Sequence, residues 1–381
     1  MMKATTPLPM LGGMTIAQFL TGYWQKKPLL IRQSMPDVVG MLNANTLFEA
    51  AMREDVESRL VQRRKKDWQL RTGPFEAFPG DRARSPWTLL VQGMNTFLPQ
   101  ADELLRRFSF VPYARLDDVM ASYAIPGGGV GPHFDNYDVF LLQITGHRRW
   151  SIGAQNEFEL VEGAPLRILS NFESQQTWDL APGDMLYLPP HWAHDGVALD
   201  ECITCSIGFR APPAEEIASA FLDHLQDRLA MSGRYTDPDL VYQSGPAKLG
   251  SALIDQYFEI IDRIRWNRQD VEEFTGCQLT EPKSHIFFEP PGKPLPEEKF
   301  RKRCLECGIR LDLRTLMLYS GKKIFINGES VSSRSAHETK LFHKLADQRR
   351  LSSSEMCGMS GETILARIYD WYRAGFLSLD E

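Results

Sequence analysis

A His-x-Asp pair, His133 and Asp135, lies in the stretch 125–150, IPGGGVGPHFDNYDVFLLQITGHRRW, after a glycine-rich turn and before an apolar run. Side chains two strand positions apart project from one face, so this imidazole and carboxylate can grip a single ion. A third candidate ligand, His194, follows a Pro-Pro turn in LYLPPHWAHDG, between two strand-like segments. His191 competes with it but stands directly after Pro190, where the chain is still turning, which favours His194. Two histidines and one carboxylate are the donor set that holds non-haem Fe(II) and leaves coordination positions open.

Arg148 carries the next piece of chemistry. The apolar run after Asp135 ends in a turn at Thr145-Gly146, and HRRW begins the returning strand. A guanidinium there can point back toward the metal end and capture a carboxylate bidentately. Strand alternation sends at least one of Arg148 and Arg149 to solvent. A strand over 117–125 places Asp118, Met120 and Ser122 on one face and Ala121, Tyr123 and Ile125 on the other. With the first face inward, Asp118 is a buried carboxylate that needs a partner, either a cationic substrate side chain or a structural Arg or Lys. Tyr137, two residues after Asp135, is expected to share its face and line a substrate mouth, with packing at the rim as the alternative.

Two Cys-x-x-Cys pairs do not read as zinc ligands. Cys202 and Cys205 lie in a strand-like run that sends them to opposite faces, and Cys304 and Cys307 fall in a helix almost a hundred residues away. The triple glycine 127–129 lacks the Lys-Ser/Thr of a phosphate loop and reads as a tight turn.

The elements that must position these residues follow from the texture of the chain. At 381 residues with 43% hydrophobic content, it is long enough for two or three domains with real cores. No apolar run approaches membrane-spanning length, and prolines and glycines break any signal-peptide core, so a cytoplasmic protein with reduced thiols is expected. A net charge of -6 excludes a general nucleic-acid binder. The segment 297–350 runs the other way, with 13 Lys or Arg against 7 Asp or Glu, which reads first as a basic solvated face and second as a contact for RNA or an acidic partner.

From about Asp117, short apolar runs separated by Gly and Pro predict an antiparallel barrel or double sheet. The absence of βαβ alternation argues against a doubly wound fold. After Arg210, Ile217, Phe221, Leu225 and Leu229 form one helical stripe, and Leu253, Tyr257, Ile260 or Ile261, and Ile264 form another. Five prolines within 281–296 mark a boundary. Beyond them come a helix near 297–306, a hairpin turning at Asn327-Gly328, and two further helices, which together suggest a winged-helix-like module. The last helix, ETILARIYDWYRAG, is too acidic and aromatic to read DNA.

The segments PGGGVGPHFDNYDVFLLQ, GHRRW, GDMLYLPPHWAHDG and SIGFRAP resemble the JmjC-type 2-oxoglutarate oxygenases, within them the bacterial ribosomal oxygenases that hydroxylate an arginine of a large-subunit ribosomal protein. YWQKKPLLI near the start is similar as well. The resemblance implies an α+β protein with three parts. These are a double-stranded β-helix (jelly roll) over 1–212, a helical dimerisation region over 213–280, and a winged-helix-like domain over 281–381. It implies Fe(II) on His133, Asp135 and His194, with 2-oxoglutarate and O2 in the open positions. Arg148 matches the residue that binds the distal carboxylate of the cosubstrate, with Ser122 and Ser206 as hydroxyl partners. The product side would be succinate and CO2, and the protein a homodimer; the charge balance and the last helix argue separately against a direct hold on nucleic acid. Asp118, Tyr137 and Met120 are the expected substrate residues. His147 beside Arg148, in a run usually more basic, and His191 before the distal ligand depart from the family pattern. The same chemistry on a histidine or another substrate, or a metal-binding scaffold without turnover, are the competing readings.

Overall fold

The computed structural model describes residues 4–64, 67–77, 85–356 and 362–380. Helix α1 (Ile16–Gly22) opens with a capping box, in which Thr15 and Gln18 each bond the backbone N–H of the other. Strand β1 (Leu29–Ile31) follows, then α2 (Ala44–Ala51), β2 (Ser58–Arg64), β3 (Asp67–Thr72), β4 (Trp87–Val91) and α3 (Pro99–Arg106). The catalytic-looking stretch then supplies β5 (Leu116–Ala124), β6 (Val139–Thr145), β7 (Arg148–Ala154), β8 (Gln176–Leu180), β9 (Met185–Leu188), β10 (Trp192–Ala198) and β11 (Cys202–Phe209). These strands form an eight-stranded sheet, ordered β1-β9-β6-β11-β5-β4-β2-β3, and a three-stranded sheet, β10-β7-β8, with every pairing antiparallel.

Alternation along the strands decides what each face meets. From β6, Phe140, Leu142 and Ile144 enter a large core shared with Phe19 of α1, Leu47 of α2 and Leu104 of α3. Val139 and Leu141 turn the other way and pack with Trp150, Ile152 and Leu180 of the small sheet. Each such buried side chain contributes about 1.5–3 kcal/mol. Because both faces of the large sheet are covered, its central strands read as unbroken apolar runs rather than as alternating ones. The chamber between the two sheets is the space that can hold a site.

The triple glycine serves close approach as well as turning. A Cβ on Gly129 would stand 2.6 Å from the Gly196 carbonyl of β10. Ala198 bonds this turn twice across the contact, accepting from Gly127 N–H and donating to the Gly128 carbonyl, both at 2.8 Å. The segment leading to His133 is therefore lashed to the strand that carries His194.

The rest of the chain is α4 (Ala214–Gln226), α5 (Ser251–Ile261), α6 (Arg268–Thr280), α7 (Glu297–Cys307), β12 (Ile309–Leu311), β13 (Met317–Ser320), β14 (Lys323–Ile326), β15 (Glu329–Ser332), α8 (Ala336–Gln348), β16 (Arg350–Leu351), α9 (Ser353–Met356), α10 (Glu362–Arg373) and β17 (Leu377–Leu379). Two compact units emerge: residues 1–211 with 282–315 and 347–381, and residues 212–281 with 316–346. In the first, β12 pairs with β16 and β17. In the second, β13, β14 and β15 form a meander beside α6. Asn327 and Gly328, with φ of 48° and 87°, make the two-residue β14–β15 turn expected of this dipeptide.

Two expected helical positions lie outside their helices. Leu229 follows the end of α4 at Gln226, and Ile264 follows the end of α5 at Ile261. The chain beyond α4 carries Gly233, Pro238, Gly245 and Pro246, and the chain beyond α5 must turn before Asn267 caps α6. Neither α4 nor α5 contributes a buried residue; Leu222, Phe258 and Ile261 are each more than 60% exposed. No helix among the described residues is long and apolar enough to cross a membrane.

Candidate metal centre and its surroundings

His133 and Asp135 do not lie on a regular strand. They occupy an irregular segment between the glycine turn and β6, held by a single bridge in which His133 and His194 exchange backbone bonds at 2.9 and 2.8 Å. His194 sits within β10. The bridge brings the imidazoles side by side, with ring centroids 4.2 Å apart, and places His194 Nε2 3.7 Å from an Asp135 oxygen. One ligand atom from each of the three lies within 4.8 Å of the others, and among the described residues no other group of three such donors converges.

The protein also chooses which nitrogen faces inward. His133 Nδ1 donates to the Gly131 carbonyl and His194 Nδ1 to the Trp192 carbonyl, each at 2.9 Å. Each ring thus leaves Nε2 as its lone pair, that of His194 toward Asp135, the tautomer a divalent metal requires. Burial, reinforced by His133 and opposed by Asp135, lowers the His194 pKa to about 4. At neutral pH His194 is an uncharged donor.

A stability prediction follows. In the unfolded chain this ring binds a proton below about pH 6.5, whereas in the metal-free folded protein it does so only below about 4. The unfolded state holds more protons in between, so metal-free stability should fall by about 3 kcal/mol as pH drops from about 6.5 to about 4. Urea titrations of the native chain and of His194→Gln at several pH values check this, since the variant should lose most of that slope.

His191 is not part of the trio. It adopts a left-handed backbone, φ 65°, directly after Pro190, and its N–H donates to the Asp135 carbonyl at 2.8 Å. It props a ligand segment through the main chain, at a backbone conformation that non-glycine residues rarely accept.

Arg148 points into the chamber and is 4% exposed. Its Nη1 donates to Ser122 Oγ at 3.1 Å, its Nη2 lies 3.6 Å from Cys202 Sγ, and its plane faces the Trp150 ring. No carboxylate pairs with it among the described residues. Arg149 goes to solvent and pairs with Asp179, as alternation requires. Ser122 also donates to the Thr204 carbonyl at 3.3 Å. Ser206 lies on β11 across from Met120 and Leu141, and its hydroxyl is not among the partners of Arg148.

On β5, Val119, Ala121 and Tyr123 join the large core, so Asp118, Met120 and Ser122 take the opposite face. Asp118 accepts a bond from the Gly93 N–H at 2.9 Å and has no ion pair among the described residues. Burial, then the adjacent Asp117, pushes its pKa up. Tyr137 sits on an exposed turn rather than on a strand. Enclosure of its hydroxyl, then the Asp135 and Asp118 carboxylates, drives its pKa up.

Several contacts have no local signal in the sequence. Leu169 N–H donates to the Pro132 carbonyl at 2.7 Å and Phe158 stacks on Phe134 at 4.0 Å, so the loop between β7 and β8 buttresses the His133 segment. Gln143, alone in an apolar run, accepts from Thr204 Oγ1 at 2.8 Å. A lone polar residue in a buried strand demands such a partner, and this one was discoverable.

This geometry defines a JmjC-type double-stranded β-helix with a His-Asp-His metal site. Residues 103–217 match the JmjC domain, and residues 263–378 match the ROXA-like winged helix. The chain is 32% identical over 319 residues to "Ribosomal protein uL16 3-hydroxylase" of Escherichia coli, covering 83% of this chain and 85% of that protein. It is 39% identical over 228 residues to "Probable ribosomal oxygenase" of Haemophilus influenzae, covering 58% and 54%. An Escherichia coli YcfD structure superposes with a TM-score of 0.85 at 29% identity over 96% of this chain and 98% of that one. YcfD in complex with cobalt and 2-oxoglutarate gives 0.80 over the same shares. The chain belongs to the JmjC-domain ribosomal oxygenases.

Proposed function

We propose that this chain is an Fe(II)- and 2-oxoglutarate-dependent hydroxylase that acts on an arginine side chain of a large-subunit ribosomal protein in the cytoplasm. The observation that carries the reading is a buried Arg148 guanidinium without a carboxylate partner, in the same chamber as a His-Asp-His trio. A buried cation is costly unless compensated, and the distal carboxylate of 2-oxoglutarate supplies the missing charge in the geometry a guanidinium prefers. His133, Asp135 and His194 would hold the metal. Bound Fe(II) supplies, with 2-oxoglutarate and O2, the oxidising chemistry that places one oxygen atom on an unactivated carbon and yields succinate and CO2. Arg148 and Ser122 orient the cosubstrate, and Ser206 contributes a hydroxyl on the same wall. Trp150 and the apolar side chains between the sheets exclude water.

Asp118 favours an arginine as the target. It is a half-buried carboxylate with a raised pKa and no ion pair of its own among the described residues, Lys283 pairing instead with the adjacent Asp117, and a substrate guanidinium would favour its charged form. Tyr137 and Met120 would flank that side chain. The relatives named for a ribosomal protein and for uL16 hydroxylation support the same class of substrate. The deciding measurement is succinate formation with Fe(II), with and without peptides tiled along ribosomal protein uL16, the peptides being read by mass. A gain of one oxygen on an arginine establishes the reading, and succinate without peptide oxidation discards the substrate. Asp118→Ala should lower peptide turnover at least about tenfold, by loss of a charge-assisted pair. Unchanged turnover removes arginine as the target.

The helical region over 213–280 is proposed to join two copies of the chain. The apolar side chains of α4 and α5 exposed on a single chain support a second copy as the occupant. Sedimentation should give a mass near twice 43.4 kDa, and Phe258→Glu should shift it toward the single-chain value.

A further inference from the structure

Asp138 is a carboxylate with no exposed surface, three residues beyond Asp135 and next to Tyr137. Its Oδ1 accepts from the Tyr187 hydroxyl at 2.6 Å, and its Oδ2 accepts from Gln25 Nε2 at 2.9 Å and lies 3.6 Å from an Arg115 amine. Gln25 reaches it from a left-handed backbone, φ 55°, and its own N–H donates to the Tyr187 oxygen at 2.8 Å. Arg115 also donates to the Arg210 carbonyl at 2.7 Å, which fixes it at the start of β5 beside the end of β11. Arg115 stands three residues before Asp118, and Asp138 one residue after Tyr137. One buried carboxylate thus ties the segment entering β5, which leads to Asp118, to the segment entering β6, which follows Tyr137. The turn between Asp135 and Asp138 has a second anchor, the bond from His191 N–H to the Asp135 carbonyl.

We infer that the Asp138 knot, with Tyr187, Gln25 and Arg115, is the positioning element that sets the spacing of Tyr137 and Asp118 and so couples cosubstrate consumption to substrate oxidation. This rests on the function proposed above. The knot touches none of the three metal-ligand candidates by side chain, and Arg148 lies elsewhere in the chamber. Loosening it should therefore spare metal and cosubstrate binding and spoil the fit of the target side chain, where a misplacement of about 1 Å can cost about a hundredfold. The N-terminal segment that carries Gln25 then belongs to the functional apparatus, since without it the carboxylate loses one of its direct donors.

The test is Tyr187→Phe in the full chain, which keeps the ring in the core and removes only the hydroxyl; Gln25→Ala is the second variant, which removes only the amide donor to Asp138. Succinate formation without peptide and succinate and oxidised peptide with a uL16 peptide are measured together. The expected result is peptide-free turnover within about twofold of the native chain, a peptide KM raised about tenfold, and a several-fold lower ratio of oxidised peptide to succinate. If both turnovers fall in proportion, or if ratio and KM hold at native values in both variants, the knot is only structural and the inference is overturned. If the native chain oxidises no uL16 peptide while still forming succinate, the substrate reading fails, and this inference with it.

Discussion

Replacement of His133 with alanine should abolish Fe(II)-dependent succinate formation, a loss of roughly a thousandfold or more. The donor set has only three protein ligands, and no neighbour can stand in for the lost one. His191 has a left-handed backbone and is not in the cluster, and no other His, Cys, Asp or Glu among the described residues joins it. Removing one of three leaves two donors for an ion that also has to accommodate its reactants. The variant should keep its fold, because the segment is held by the backbone bridge to His194, by the glycine contacts with β10 and by Leu169 on Pro132. Titration with Co(II), followed by visible absorbance, separates the two effects. Weakened metal uptake with an unchanged urea midpoint is the expected pair of results, and native uptake would remove His133 from the ligand set.

Arg148→Met should raise the KM for 2-oxoglutarate about a hundredfold, or about 2.7 kcal/mol, with little change in kcat at saturation. The guanidinium binds the end of the cosubstrate that does not react, so its contribution is uniform between ground and transition state. Arg148→Lys should fall between the two, since an ammonium carries the charge but not the fork that also reaches Ser122. Without cosubstrate the Met variant should be as stable as the native chain or more so, because it removes a buried cation that no carboxylate offsets. The native chain should gain about 2.7 kcal/mol at a hundred times Kd, and the variant should gain almost none at that concentration. A Met variant with native KM would move the cosubstrate site elsewhere.

Much of this site could be read from spacing alone, and the reasons are physical. Strand periodicity correctly separates Asp118, Met120 and Ser122 from Val119, Ala121 and Tyr123, because a two-residue repeat leaves no other choice once one face is core. The same rule leaves at least one of Arg148 and Arg149 in solvent without saying which; the structure buries Arg148 and pairs Arg149 with Asp179. It fails for His133 and Asp135, which share a direction through a single bridge and a glycine-led bend rather than through a strand, and for Tyr137, which a turn carries off that face. The Asp138 knot was illegible for a different reason. Its members come from positions 25, 115, 138 and 187, and only the pairing of β6 with β9 brings two of them together. Local patterns encode which face a residue takes, not which distant residue it meets there.

Both imidazoles are set by the same device, a bond from Nδ1 to the carbonyl two residues earlier in the chain. Since that acceptor is main chain, no substitution at Trp192 deletes it, whereas Gly131, with φ 82° and the Trp68 ring 2.9 Å from any added Cβ, is confined to glycine. The vulnerability the two share is chain length. One residue inserted or removed between Gly131 and His133, or between Trp192 and His194, breaks the lock outright. The two intervals should therefore tolerate almost no length variation, and a library of single-codon insertions should lose function most sharply there.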